Sequence, residues 1–230
     1  MTRLNGWTIG FDADDTLWHN ERFFQLTQER FARLLRDFTD ADRLSDRLLA
    51  AEKRNLGHYG YGIKGFVLSM IETAIEVTEE RVPASVIAEL IAAGQEMLAH
   101  PIELLPGVED TILSLKGTAT LVLVTKGDLL DQERKLAQSG LGEHFDRVEI
   151  VSEKSAPTYT RIFGPDARAV MIGNSLRSDV LPAIEAGAHG IHVPHDLTWE
   201  LEQADAPVDH PRFHRIDTMA ALPDVLGRIV

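Results

Sequence analysis

Cysteine is absent from the 230 residues. Its absence excludes disulfides, thiolate metal sites and cysteine nucleophiles together, and fits a cytoplasmic location, where disulfides are rare. Long apolar runs are also missing. None approaches the roughly 18 residues that a membrane helix needs, and Met1-Thr2-Arg3-Leu4-Asn5-Gly6 has no apolar stretch of the kind a signal peptide carries. Neither internal repeats nor low-complexity tracts occur. Positive charge is scarce: 23 Lys+Arg stand against 36 Asp+Glu, a net charge of −13. Such a balance opposes binding to nucleic acid and to anionic membranes, so neither is expected as a partner, and the bulk charge reads as solubility. What is present is a 44% hydrophobic share, enough for a full core built as one domain or as one domain with an insert.

Hydrophobic periodicity divides the chain in two. Residues 8–12 read as a strand. From Asn20 the period becomes helical, with Phe23, Phe24, Leu26, Phe31, Leu34 and Leu35 on one stripe. Further helices are expected at about 41–54, 66–76 and 83–98, and Gly57, Gly60, Gly62 and Gly65 mark turns between them. After Leu105-Pro106-Gly107, strand-like runs at 120–124, 147–151, 169–172 and 190–193 alternate with helical segments at 108–116, 131–139, 157–163 and 179–186. That alternation predicts βαβ units and a doubly wound parallel sheet. A short edge strand at 213–216 and a last helix at 218–228 complete the reading. The expected organisation is an α/β core over 1–16 and 100–230, with a helical domain over 17–99 inserted after the first strand.

Chemistry-bearing residues gather just after the expected strands. Asp12 and Asp14 follow the first, in Gly10-Phe11-Asp12-Ala13-Asp14-Asp15-Thr16-Leu17. Like charges this close resist ionising together, and a divalent cation would remove the cost. Two residues apart at a strand end, both carboxylates can turn toward one point, one as nucleophile and the other as proton carrier. The same residues also suit a solvated acidic turn. Thr125-Lys126-Gly127 ends the second run, Lys154 follows the third, and Asn174 and Asp179 follow the fourth. Ligands of open parallel sheets bind at the carboxyl ends of strands.

This order, Asp-x-Asp-x-Thr, then Thr, then Lys, then Gly-Asn-Ser-x-x-Ser-Asp, resembles the haloacid dehalogenase (HAD) superfamily, most of whose members are magnesium-dependent phosphatases. The likeness covers residues 7–18 and about 104–195, and the insert fits the family's helical (C1-type) cap. Two positions depart from the common pattern: Asn174 stands where an acid is usual, and Ser155 where proline often follows the lysine. The resemblance implies Asp12 as nucleophile and Asp14 as general acid and base. It implies Thr125 and Lys154 as ligands of the phosphoryl oxygens, helped by backbone N–H groups near Lys126 and Gly127. The Lys126 side chain itself reads as a solvated turn residue. It further implies Mg²⁺ held by Asp12, the Asp14 carbonyl, Asn174 and Asp179, one of the last two binding through water. Asp179 also suits a helix N-cap, and Asp15 a solvated or turn-capping role. In the cap, His19, Arg54, His58, Tyr59, Tyr61 and Lys64 are candidates to choose the substrate, each equally readable as a surface cation, packed aromatic or turn residue. The remaining histidines have no metal-ligand spacing that fits the fold.

The function expected on this resemblance is hydrolysis of a small phosphorylated metabolite, by a monomer or homodimer. A phosphomutase would use the same aspartyl-phosphate, and a binding-only member would keep the fold without turnover. Dehalogenation is disfavoured, because the dehalogenases lack an acid at the position of Asp14.

Overall fold

The computed structural model describes residues 4–164 and 168–229; the ends of the expected core range, 1–3 and 230, lie outside the described residues. From the N-terminus, β1 (Thr8–Phe11) is followed by four helices: α1 (Glu21–Leu35), α2 (Ala41–Tyr59), α3 (Ile63–Val77) and α4 (Ala84–Ala99). The chain then alternates: α5 (Val108–Leu115), β2 (Thr120–Lys126), α6 (Leu129–Ser139), β3 (Arg147–Val151), α7 (Ala156–Phe163), β4 (Ala169–Gly173), α8 (Leu181–Glu185), β5 (His189–His192), β6 (Phe213–Arg215) and α9 (Leu222–Ile229). No described helix is long and apolar enough to cross a membrane.

These elements form two compact units. The first comprises Met1–Glu21, Ile102–Lys126 and Gln132–Val230. Its six strands pair in parallel in the order β3-β2-β1-β4-β5-β6, an α/β doubly wound sheet. Strands buried on both faces read as continuous apolar runs, and Leu121-Val122-Leu123-Val124 is such a run. Side chains alternate between faces, so Ile9, Phe11, Leu121, Leu123, Val170 and Ile172 pack with Val108 and Ile112 of α5 and Leu222 and Leu226 of α9. Val122, Val124 and Met171 face the other way, onto Tyr159 and Ile162 of α7 and Ala183 of α8. Strand order reverses direction around β1: β2 and β3 lie to one side, β4 to β6 to the other. A crevice at the carboxyl ends of β1 and its neighbours is where such a sheet binds ligands. Leu17 and Trp18 belong to the core of this unit, with Trp18 bridged to Leu104.

The second unit comprises Arg22–Pro101 and the short segment Gly127–Asp131. Its core is Phe31, Leu35, Leu44, Leu48, Phe66, Met70 and Leu90, drawn from α1 to α4. Asp40 caps α2 by accepting from the Arg43 N–H at 2.8 Å. Helix α2 runs five residues beyond its expected end, through Gly57 to Tyr59, and α3 starts three residues early at Ile63. The turn between them is tight: a Cβ at Gly65 would lie 2.9 Å from the Gly60 carbonyl oxygen, so no larger side chain fits there.

Candidate active site

The first unit gathers its buried polar side chains at the carboxyl ends of its strands. Asp12 follows β1, and its N–H donates to the Ile172 carbonyl at 2.9 Å, which extends the β1–β4 ladder one residue and fixes the side chain beyond the sheet. Lys154, three residues past β3, donates to Asp12 Oδ1 and, at 2.7 Å, to Asp179 Oδ1. Asp12 Oδ2 accepts from Thr16 Oγ1 at 3.0 Å. Thr16 Oγ1 also lies 3.2 Å from Asn174 Oδ1 and accepts from the Asn174 N–H at 3.0 Å. Asp179 Oδ2 accepts from the Ser175 N–H at 3.0 Å. It is held in a π-helical turn over Leu176–Val180, where the Ser175 side chain caps the Ser178 N–H. π-Turns recur at functional sites because one extra residue re-aims a side chain. Gly173 permits this close approach: a Cβ there would fall 2.2 Å from Asp179 Oδ2.

The electrostatics follow from two carboxylates sharing one ammonium out of water. Burial raises Asp12, and Asp179 raises it further; Lys154 opposes both, and the carboxyl ends at about 7. Burial raises Asp179 as well, against the pull of Lys154. Burial alone would lower Lys154, but Asp12 and Asp179 outweigh it and hold its ammonium well above the usual range. The group is therefore short of one positive charge. The oxygens it presents are those of carboxylates and an amide, the ligand type of a hard divalent cation. Among the described residues no cluster of three His, Cys, Asp or Glu side chains suits a metal, so an amide or main-chain oxygen would have to complete such a site.

Asp14 turns toward α6. Its Oδ1 accepts from Trp18 Nε1 at 2.7 Å and from Lys135 Nζ at 2.9 Å. Its Oδ2 accepts from Gln132 Nε2 at 2.9 Å and from Lys135 at 3.1 Å. Burial pushes this carboxyl up, but Lys135, Gln132 and Trp18 together hold it below the ordinary value. Asp15, with the left-handed φ of 58°, accepts from the Asn20 and Glu21 N–H groups at 2.9 Å and so caps the first turn of α1. Thr125 is buried at the end of β2. Lys126 reaches Ser178 Oγ at 2.8 Å and Glu202 Oε1 at 2.6 Å.

The structure thus brings Asp12, Thr16, Lys154, Asn174 and Asp179 together, with Asp14 next to them in sequence and engaged by α6. His19 belongs to the first unit, where its ring meets that of His195 edge-on at 6.1 Å. The other substrate candidates belong to the second. Arg54 lies 3.6 Å from Glu72, Tyr59 donates to Glu72 at 2.9 Å, and His58 tilts against Tyr59. Lys64 donates to both oxygens of Asp128 at 2.9 Å. Tyr61 sits half-buried just before α3.

Sequence reading missed Trp18, Gln132, Lys135 and Glu202. Gln132 and Lys135 stand three apart on α6, hence on one face, and with Asp131 make an unusual run of buried polar side chains. Gln132 Oε1 is buried and meets no donor among the described residues. Glu202 collects Lys126, Ser175 Oγ and Ser178 Oγ. Burial raises its carboxyl, but these partners, Lys126 foremost, bring it below the ordinary value.

Comparison with known proteins agrees with this geometry. The family model for haloacid dehalogenase-like hydrolases matches residues 8–187. A haloacid dehalogenase-like hydrolase from Xanthomonas campestris is 40% identical, with a TM-score of 0.87 over 97% of this chain and 91% of that one. The HAD hydrolase YfnB from Bacillus subtilis, a magnesium-bound structure, shares the fold at 20% identity, with a TM-score of 0.62 over 96% of this chain and 98% of that one. The pyrimidine 5'-nucleotidase YjjG of Escherichia coli is 31% identical over 43% of this chain; the match spans 55% of that protein, little more than half its length. With four-fifths of its length under the family model and its polar side chains gathered at the strand ends, the chain belongs to the haloacid dehalogenase-like hydrolases.

Proposed function

We propose that the chain is a magnesium-dependent phosphatase that hydrolyses a small phosphate monoester through an aspartyl-phosphate on Asp12. The observation that carries this reading is the buried group of Asp12, Lys154 and Asp179, in which two carboxylates share one ammonium. Asp12, Asp179, the Asn174 amide oxygen and the Asp14 carbonyl are the oxygens that would hold Mg²⁺, and the magnesium-bound relative supports that choice of ion. Bound there, the ion supplies neutralising charge for the phosphoryl oxygens.

Asp12 is the nucleophile. A bond forms between its carboxylate oxygen and phosphorus as the ester P–O bond breaks, which divides one difficult displacement into two easier ones. Asp14 is the general acid and base: held ionised at rest by Lys135, Gln132 and Trp18, it takes up a proton as the negatively charged ester binds, gives it to the departing alkoxide, then takes one from the water that cleaves the acyl phosphate and frees Asp12. Lys154 and Thr125 hold the equatorial oxygens, with the N–H groups near Lys126 and Gly127. In phosphoryl transfer positioning and charge supply most of the rate. Lys154 also keeps Asp12 aimed before substrate arrives. Asp14 separates this reading from halide displacement, which needs no acid for its leaving group. The similarity to a pyrimidine 5'-nucleotidase makes nucleoside 5'-monophosphates the first substrates to try.

The test is phosphate release from a panel of nucleotides, sugar phosphates and small phosphorylated acids, with and without Mg²⁺, for wild type and Asp12→Asn. Turnover that needs Mg²⁺ and is lost in Asp12→Asn is expected. Turnover that survives Asp12→Asn refutes the aspartyl-phosphate route.

A further inference from the structure

We infer that Lys135, with Gln132 beside it, is a positioning residue for the Asp14 carboxylate. The inference rests on the phosphatase reading, in which Asp14 carries the proton for the leaving group. Lys135 is itself buried and straddles Asp14, 2.9 Å from Oδ1 and 3.1 Å from Oδ2, and it also donates to Asn20 Oδ1 at 2.9 Å. An ammonium has three protons, and Asp14 Oδ1, Asp14 Oδ2 and Asn20 Oδ1 are among its acceptors. Gln132 cannot be turned the other way round without loss, because its amide NH₂ serves two acceptors, Asp14 Oδ2 at 2.9 Å and the Lys126 carbonyl at 3.2 Å.

Stability alone does not account for this arrangement. A buried ion pair seldom contributes more than well-packed apolar groups would, since desolvating both charges offsets their attraction. Precision does account for it. Asp14 sits in a loop, and a loop carboxylate has two side-chain torsions to fix. Trp18 constrains one oxygen from within the same loop, whereas Gln132 and Lys135 reach in from α6, a helix that follows β2 directly. The carboxylate plane is thereby referred to the sheet that also carries Asp12 and Thr125. A proton carrier works only within hydrogen-bond reach of its target, and a rigid supporting shell is what keeps a site to the required tolerance.

The reaction chemistry provides a test that a merely structural lysine would not pass. An alkoxide leaving group needs the proton from Asp14; p-nitrophenolate, a stable anion, does not. We therefore compare kcat/KM for p-nitrophenyl phosphate and for the best primary alkyl phosphate of the wild-type panel, both at saturating Mg²⁺, in Lys135→Met, Asp14→Asn and the double variant. The alkyl-to-aryl ratio is measured on one preparation, so any loss of folded protein cancels. The ratio is expected to fall at least tenfold in Lys135→Met and further in Asp14→Asn, with the double variant no worse than Asp14→Asn alone. Should Lys135→Met fail to fold, Lys135→Arg, which keeps the charge but shifts the contact, is expected to lower the same ratio to a smaller extent. Equal losses on both esters, an unchanged or raised ratio, or additive effects in the double variant overturn the inference while leaving the phosphatase reading intact. An Asp14→Asn variant with no selective loss overturns the role of Asp14 and this inference with it. Failure of wild type to turn over any ester overturns both.

Discussion

Replacing Asp12 by Asn is expected to stabilise the metal-free protein at neutral pH, although it removes the proposed nucleophile. Asp12 is 6% exposed, and burial beside Asp179 raises its carboxyl from 3.8 to about 7 in spite of Lys154. A carboxyl raised in the fold keeps its proton there after the unfolded chain has lost it. Stability therefore falls as pH climbs from about 4 to about 7, and is flat above. At about 1.36 kcal/mol per pH unit, the wild type loses about 3 kcal/mol between pH 5 and pH 8 through this group alone. An asparagine at position 12 does not titrate, so its advantage over wild type grows by that amount. For a chain of this size the gain is roughly 5–10 °C in Tm. Thermal unfolding of both proteins in EDTA, at pH 5 and pH 8, measures it. Adding Mg²⁺ at pH 8 is expected to cancel or reverse the difference, because the ion favours the carboxylate. An advantage that is absent at pH 8 in EDTA, or that is the same at both pH values, refutes the reasoning.

Gly173→Ala is expected to cost at least a hundredfold in turnover, because its Cβ would fall 2.2 Å from Asp179 Oδ2; activity within tenfold of wild type would show that the carboxylate is not needed where it stands. Glu202→Gln is expected to lose about 3 kcal/mol in urea unfolding, the low end for breaking a buried charge pair, since 15% of the Glu202 side chain is exposed; a change under about 1 kcal/mol would mean that Lys126 and the two serines find other partners. Inorganic phosphate is expected to raise Tm in Mg²⁺ and not in EDTA, and equal shifts in both would refute a metal-completed anion site. His189 and His214 stack, with Nδ1 3.0 Å from Nε2. Burial lowers both, and the pair's mutual repulsion lowers His189 further. The fold thus favours their neutral forms, and the pair's contribution to stability is expected to fall as pH drops below about 6.5, against the gain from Asp12. The change in unfolding midpoint from pH 7.5 to 5.5 should be more favourable in His214→Gln than in wild type; the same change in both would refute a role for the pair.

The strands were legible because a buried parallel strand needs nothing but apolar residues, many of them β-branched, and Leu121–Val124 or Ala169–Ile172 supply them in short runs. Residues following such runs could be read as sharing one end of the sheet, which is how Asp12, Lys154, Asn174 and Asp179 stand out. The π-turn at Leu176–Val180 was not legible. Its hydrogen-bond slip depends on Ser175 capping Ser178 and on the space left by Gly173, and the sequence resembles an ordinary helix start at Asp179. Lys135 was hidden differently. Helix α6 is amphipathic, so a lysine on it reads as part of the solvated face; only the carboxylate 121 residues earlier makes it buried. Glu202 lies in a stretch with loop composition, and Lys64 pairs with an aspartate 64 residues away. Long-range ion pairs leave no local periodicity, which is why the supporting side chains escaped while the strand ends did not.

A chain with net charge −13 is an awkward host for an anionic ester, and the buried charges show how the conflict is met. Lys135 and Lys154 are buried, and Lys126 exposes only 13% of its side chain. All three point into the strand-end cluster, and each already meets an acid: Asp14, the Asp12–Asp179 pair, and Glu202. Among the described residues these four acids, and the half-exposed Glu153 at 3.8 Å from Lys126, face three ammoniums, so acids outnumber bases in the cluster, and Asp12, raised to about 7, offsets part of the excess with a proton. These lysines therefore do not form a ready-made anion site; they are what allows four acids to be packed at one end of a sheet. On the proposed reading a phosphate dianion meets a repulsive site until a divalent ion reverses its sign. Metal loading then gates substrate binding as well as chemistry, and the acidic surface around it costs little, because charges beyond a Debye length of about 8 Å are largely screened at physiological salt.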